Sequence, residues 1–160
     1  MILLSGGQTG VDRAVLDVAI ERGVLYGGWC PQGGWAEDLP EPPGLLAKYP
    51  LLQETPLADP AQRTEWNVRD ADACMILVDA GDLAVSAGTV LAEELAHGCR
   101  RPLLIVKLGD TDRLSRAPLW LRVQKSRHGE DLKLAIGGPR ESEAPGIYER
   151  AAAFLRALLS

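Results

Sequence analysis

The stretch ACMILVDA, residues 73–80, constrains the fold more than any other, because it opens with six apolar residues in succession. A strand wetted on one face alternates apolar and polar residues, whereas an unbroken apolar run must be covered on both faces. MILL (residues 1–4), RPLLIVKLG (101–109) and the DLKLAIG stretch near residue 134 have the same character. Between these runs the apolar positions recur at helical spacing. Strands covered on both sides and alternating with helices read as an α/β domain with a parallel sheet between two helical layers.

The helices have recognisable ends. GVDRAVLDVAIERG places Val11, Ala14, Val15, Val18 and Ala19 on one face and stops at Gly23, a C′ glycine. DPAQRTEWNVRDAD (59–72) begins with Asp59 as N-cap and Pro60 at the first helical position. SAGTVLAEELAHG (86–98) reads as a glycine turn followed by a helix, and APLWLRVQKSR (117–127) as a short helix. DLKLAIGGPRESEAPGIYERAAAFLRALL (131–159) supplies a last strand, a Gly-Gly turn and a terminal helix. LYGGWC (25–30) and LLQETP (51–56) are short strands, and the Pro- and Gly-rich residues 31–50 form one long loop. No repeat or linker divides the chain, so residues 1–160 read as a single domain.

Totals exclude several classes. A net charge of −5 offers no excess of cations to neutralise a phosphate backbone, so nucleic acid is not the expected partner. No apolar run approaches the ~20 residues needed to cross a bilayer, and no signal peptide is expected. Three cysteines without a CxxC pair, Cys30, Cys74 and Cys99, read as reduced thiols in a cytoplasmic protein. His97 and His128 have no partners at zinc spacing, so no metal site is expected.

Three glycine turns carry the chemistry. SGGQTG (5–10), SAGT (86–89) and GGPRES (137–142) each lie between a strand and a helix. In an open parallel sheet such turns share the carboxyl edge, where ligands bind. Glycine admits close backbone approach, and the helix that follows offers unpaired N–H groups to an anion. The expected cradle is Gly6, Gly7, Gln8, Thr9 and Gly10, with Ser86, Gly88 and Thr89 holding a second oxyanion and Arg13, Arg140 and Ser142 at the border. The first turn is neither GxGxxG nor GxxxxGK[ST], which argues against NAD and against nucleotide triphosphate hydrolysis.

Arg63 and Asn67 lie four apart and share a helix face, able to meet a phosphate and a ring edge. The same stretch also reads as a solvated charged face with a Glu65–Arg69 pair. An arginine serving only a ligand would be removable without loss of stability. In the loop, Trp29 and Trp35 either stack on a flat ring or bury the loop, and Cys30 is a weak candidate ligand beside Glu37 and Asp38.

SGGQTGVDRAVLDVAIERG, GGWCPQGGWAEDLP, QRTEWNVRDADACMIL and GGPRESEAPGIYE together resemble the molybdenum cofactor carrier family. That resemblance runs from the first strand to the last helix. It implies a Rossmann-like three-layer domain with a mostly parallel sheet, of the superfamily that includes lysine decarboxylase-like phosphoribohydrolases and DNA-processing protein A. It also implies a homodimer or homotetramer, with molybdenum cofactor, a phosphorylated pterin, as the bound small molecule, carried rather than transformed. The phosphoribohydrolases give the alternative: a nucleoside 5′-monophosphate N-glycosidase or a nucleotide-sensing module. Their PGGxGTxxE signature is matched at Gly88 and Thr89, but Ala92 stands at the glutamate position and Glu93 comes one residue late, about 100° around a helix. Arg63 matches the arginine of that signature, so Arg63 and Glu93 would be the catalytic pair.

Overall fold

The computed structural model describes residues 1–79 and 86–160. Five strands form the main sheet: β1 (Ile2–Leu4), β2 (Leu25–Gly27), β5 (Ala73–Val78), β6 (Leu103–Lys107) and β7 (Lys133–Gly137). A second ladder is made of β3 (Trp29–Cys30) and β4 (Gln53–Glu54). The helices are α1 (Val11–Arg22), α2 (Leu45–Lys48), α3 (Pro60–Asp70), α4 (Ala87–Gly98), α5 (Arg113–His128) and α6 (Ile147–Leu158). The main sheet runs in the order β2-β1-β7-β5-β6, and every pair is parallel.

The lack of alternation in β5 is explained by burial on both faces: all six of its residues are buried. Leu3, Met75, Leu77, Leu134 and Ile136 face α1, α5 and α6 in the larger core. Leu4, Cys74 and Ala135 face the other way, toward Val68 of α3 and Ala96 of α4. Right-handed crossovers require this split, because connections moving left and right across the sheet emerge on opposite faces. Counted from β7, the strand order reads 3-2-1-4-5, the start of the doubly wound nucleotide-binding order. The order reverses between β7 and β5, which places the crevice there.

Helix ends follow the expected signals. Gly23 is left-handed at φ 65°, and the Asp59 carboxylate accepts from Ala61 N–H with Pro60 at the start of α3. Four segments differ from the reading of the sequence. The helix expected over 117–127 begins four residues earlier, as the 16-residue α5. LYGGWC is two strands, because Gly28 at φ 119° bends the chain from the main sheet to the small one. Residues 31–50 are not one loop: a 3-10 turn (Gln32–Gly34) and α2 fold back on each other. Leu45 and Tyr49 are buried there with Leu16, Cys30, Ala36 and Leu52 in a satellite core. SAGT is no turn. Ser86 is the N-cap, and Ala87, Gly88 and Thr89 form the first turn of α4. Ala80, the last residue of the expected ACMILVDA strand, lies outside the described residues.

Candidate functional site

A cavity of about 320 Å³ opens at the carboxyl edge, where β1 and β7 end, and runs in between the sheet, α3 and α4. Its inner part is apolar, with Leu4, Cys74, Ile76, Leu91, Ala92 and Ala135. Its mouth is polar, with Ser5, Gln8, Asp12, Arg63, Asn67, Thr89 and Arg140.

The first glycine turn seats an arginine. A Cβ built on Gly6 would lie 1.9 Å from Arg63 Nη1, so glycine leaves the space that the guanidinium fills from α3. Arg63 Nη1 donates to Asp12 Oδ2 at 2.8 Å. Asp12 is in the first turn of α1, and both side chains are largely withdrawn from water. Burial pushes the Asp12 carboxyl above its ordinary value, against the opposing pull of Arg63. Arg63 Nε is buried and has no hydrogen-bond partner among the described residues.

α4 contributes the facing wall. The Ser86 hydroxyl accepts from Thr89 N–H at 3.2 Å, closing the cap. The first amides of a helix have no intrahelical acceptor and carry partial positive charge. Thr89 is 2% exposed, and among the described residues its Oγ1 has no partner. Buried polar atoms without partners are rare in folded proteins.

The expected cradle is corrected in part. Gly6 and Gln8 line the cavity, but Gly7, Thr9 and Gly10 do not. Their segment is occupied by the protein itself. Gly7 N–H donates to Ser5 Oγ, Thr9 N–H to Gln8 Oε1, and Val11 N–H to the Pro139 carbonyl at 3.2 Å. Gly10 is needed because a Cβ there would lie 2.3 Å from that carbonyl. Arg13 makes two 2.8 Å bonds to Asp38 and faces a second, shallower cleft with Thr9, Gly10 and Ser142. There Thr9 and Ser142 donate to Glu37. Despite partial burial, those bonds and nearby Arg140 hold Glu37 below the usual carboxylate range.

Ser86, Gly88, Thr89 and Arg140 do line the cavity. Asn67 lines it too, but its amide clamps the Trp29 backbone, accepting from N–H at 2.8 Å and donating to C=O at 2.9 Å. Trp29 packs edge-on against Trp66 and donates to Asp70, and Trp35 lies under Arg140. Neither tryptophan is in the cavity wall, so both serve to bury the loop. Cys30 is fully buried in the satellite core. Glu93 is absent from the wall and stands 3.9 Å from His97, while Ala92 points in. Asp12 was not singled out in the sequence. Its signal is an acidic residue on the buried face of α1.

The strand order, read from β7 as a permuted doubly wound sheet, agrees with the comparisons. Residues 3–159 match the family described as the circularly permutated YpsA SLOG family. The chain belongs to this family. A solved neighbour is the "Putative molybdenum carrier protein" of Syntrophus aciditrophicus SB, 37% identical. It aligns over 99% of this chain and 94% of its own length with a TM-score of 0.85. No curated protein matches the chain. The Rossmann-like α/β fold expected from the sequence is thereby shown. Among the described residues no group of three or more His, Cys, Asp or Glu could hold a metal ion, and no helix is long and apolar enough to cross a membrane.

Proposed function

We propose that the cavity binds and carries a phosphorylated heterocycle, with molybdenum cofactor as the cargo. The observation that carries this reading is the polar mouth of the cavity, lined by Arg63, Arg140 and the N-terminal residues Ser86–Thr89 of α4. A phosphate or other oxyanion is met there by guanidinium groups, and a helix N-terminus favours its charge. The apolar inner part suits the body of a flat ring. The likeness to a neighbour named as a molybdenum carrier supports the choice of cargo.

The glycosidase alternative loses its acid, because Glu93 does not reach the cavity. The test is to express the protein in a host that makes molybdenum cofactor, denature it, oxidise the supernatant, and separate the products by chromatography with fluorescence and mass detection. A pterin phosphate near one per chain, with molybdenum by elemental analysis, is expected. A nucleotide with no pterin would overturn the cargo. Release of free base from AMP would overturn the carrier role. A homo-oligomer in the cytoplasm remains part of this proposal, checked by light scattering and fractionation.

A further inference from the structure

The proposed anion site depends on how one side chain is held. Arg63 crosses from α3 to the first glycine turn, and a long flexible side chain loses entropy when fixed. Three features fix it. Gly6 leaves the space for Nη1, α3 is anchored behind it through the Asn67 clamp on Trp29, and Asp12 Oδ2 accepts from Nη1 at 2.8 Å. Asp12 is 5% exposed, and its carboxylate is held by Arg63 Nη1 together with the Gln8 backbone. An ionised carboxylate with so little water is tolerated only with such a partner.

We propose that Asp12 is a positioning residue: its carboxylate fixes the Arg63 guanidinium over Gly6, so that the remaining Arg63 donors stay aimed at an oxyanion in the cavity. This inference rests on the anion site proposed above, though not on the identity of the cargo. Holding a guanidinium by one edge leaves the other edge for a fork-like contact with an oxyanion. The alternative is that Asp12 competes with the anion for Arg63. The two predict opposite effects of removing its charge.

The ionisable groups around Asp12 are Arg63 from α3, Arg13 on its own helix, and Arg140 and Asp59 across the cavity. The arginines keep their charge throughout the range tested. Asp59 is exposed at the rim, and its negative charge opposes an anion rather than recruiting one. Protonation of Asp12 removes the carboxylate that holds Arg63, so affinity must fall on the acid side. Burial places that fall above the ordinary carboxylate range.

The probe is sulfate, which keeps its charge between pH 4.5 and 8, titrated calorimetrically against the full chain. Wild-type affinity is expected to be level near neutrality and to decline in acid. Asp12→Asn should bind about 10- to 100-fold more weakly at pH 7.5, the usual cost of losing an orienting partner, and lose the acid decline. Gly6→Ala should weaken binding similarly. Its Cβ expels Nη1 while leaving every charge in place, and its backbone does not need positive φ. Because the pH profile of the unaltered protein is itself decisive, the test survives if one variant folds poorly. Unchanged or tighter binding by a folded Asp12→Asn, or wild-type affinity that rises in acid, would overturn the positioning role while leaving the anion site intact. No sulfate binding by the wild type would overturn both.

Discussion

Arg63 shows how a residue's place can be legible while its partner is not. The helix face it shares with Asn67 was legible from their spacing, and both line the cavity, but the pair with Asp12 ties Arg63 to stability as well. Arg63→Ala leaves Asp12 buried without its cation, which is expected to cost roughly 2–4 kcal/mol at neutral pH. The sign with pH follows from Asp12. Burial holds its carboxyl above the ordinary carboxylate value, and Arg63 is the largest opposing pull, which the variant removes. The folded variant therefore holds the proton more tightly than the unfolded chain, and its stability falls as pH rises above about 4. Urea unfolding at pH 4.5 and 7.5 should show the deficit shrinking at the lower pH. The thiols make a second prediction at this scale. Burial raises Cys30 to about 11 and Cys74 to about 12, whereas Cys99 is exposed. A disulfide reagent at pH 8 should titrate one thiol in the native protein and three after denaturation. Asp12 itself went unread because sequence spacing shows that a carboxylate shares a buried face but not which cation crosses from another helix to meet it.

Among the elements, the strands and long helices were legible because each has a periodicity that burial enforces. The glycine turns were less so, since glycine reports that something comes close without saying what. At Gly6 it is a guanidinium, at Gly10 a carbonyl, and at Gly28 the Ser5 backbone together with Asn67. Residues 31–50 lacked periodicity because their order comes from backbone contacts and the satellite core, both set by the tertiary fold. Asn67 belongs to this level. Its two hydrogen bonds tie β3 to α3, so Asn67→Ala should destabilise by about 2 kcal/mol by leaving the Trp29 backbone unpaired. A thermal melt should show a midpoint lower by about 6 °C. A ligand-only role would leave the midpoint in place.

At the scale of the whole molecule, the permutation governs how the sheet assembles. Ile2 pairs with Lys133, so the first strand waits for the last. Both β1 and β7 start at the amino edge, where the Met1 amine donates to the Glu130 carbonyl and Arg156 of α6 pairs with Glu21 of α1. A chain opened between α5 and β7, with α6 joined to β1 by a short linker, should keep the fold. It should also refold faster than the parent at matched stability, because β7 and β1 are then separated by little more than α6. Stopped-flow refolding of the two forms measures the difference. During synthesis the order has a further consequence. The strand at the centre of the sheet is the last of the five to leave the ribosome, and it forms the floor of the cavity. Before then β1 and β5 have no common neighbour and the pocket has no base. Whatever ligand the pocket takes is therefore taken up only once β7 has emerged and paired, and a nascent chain that still lacks β7 has no pocket to fill.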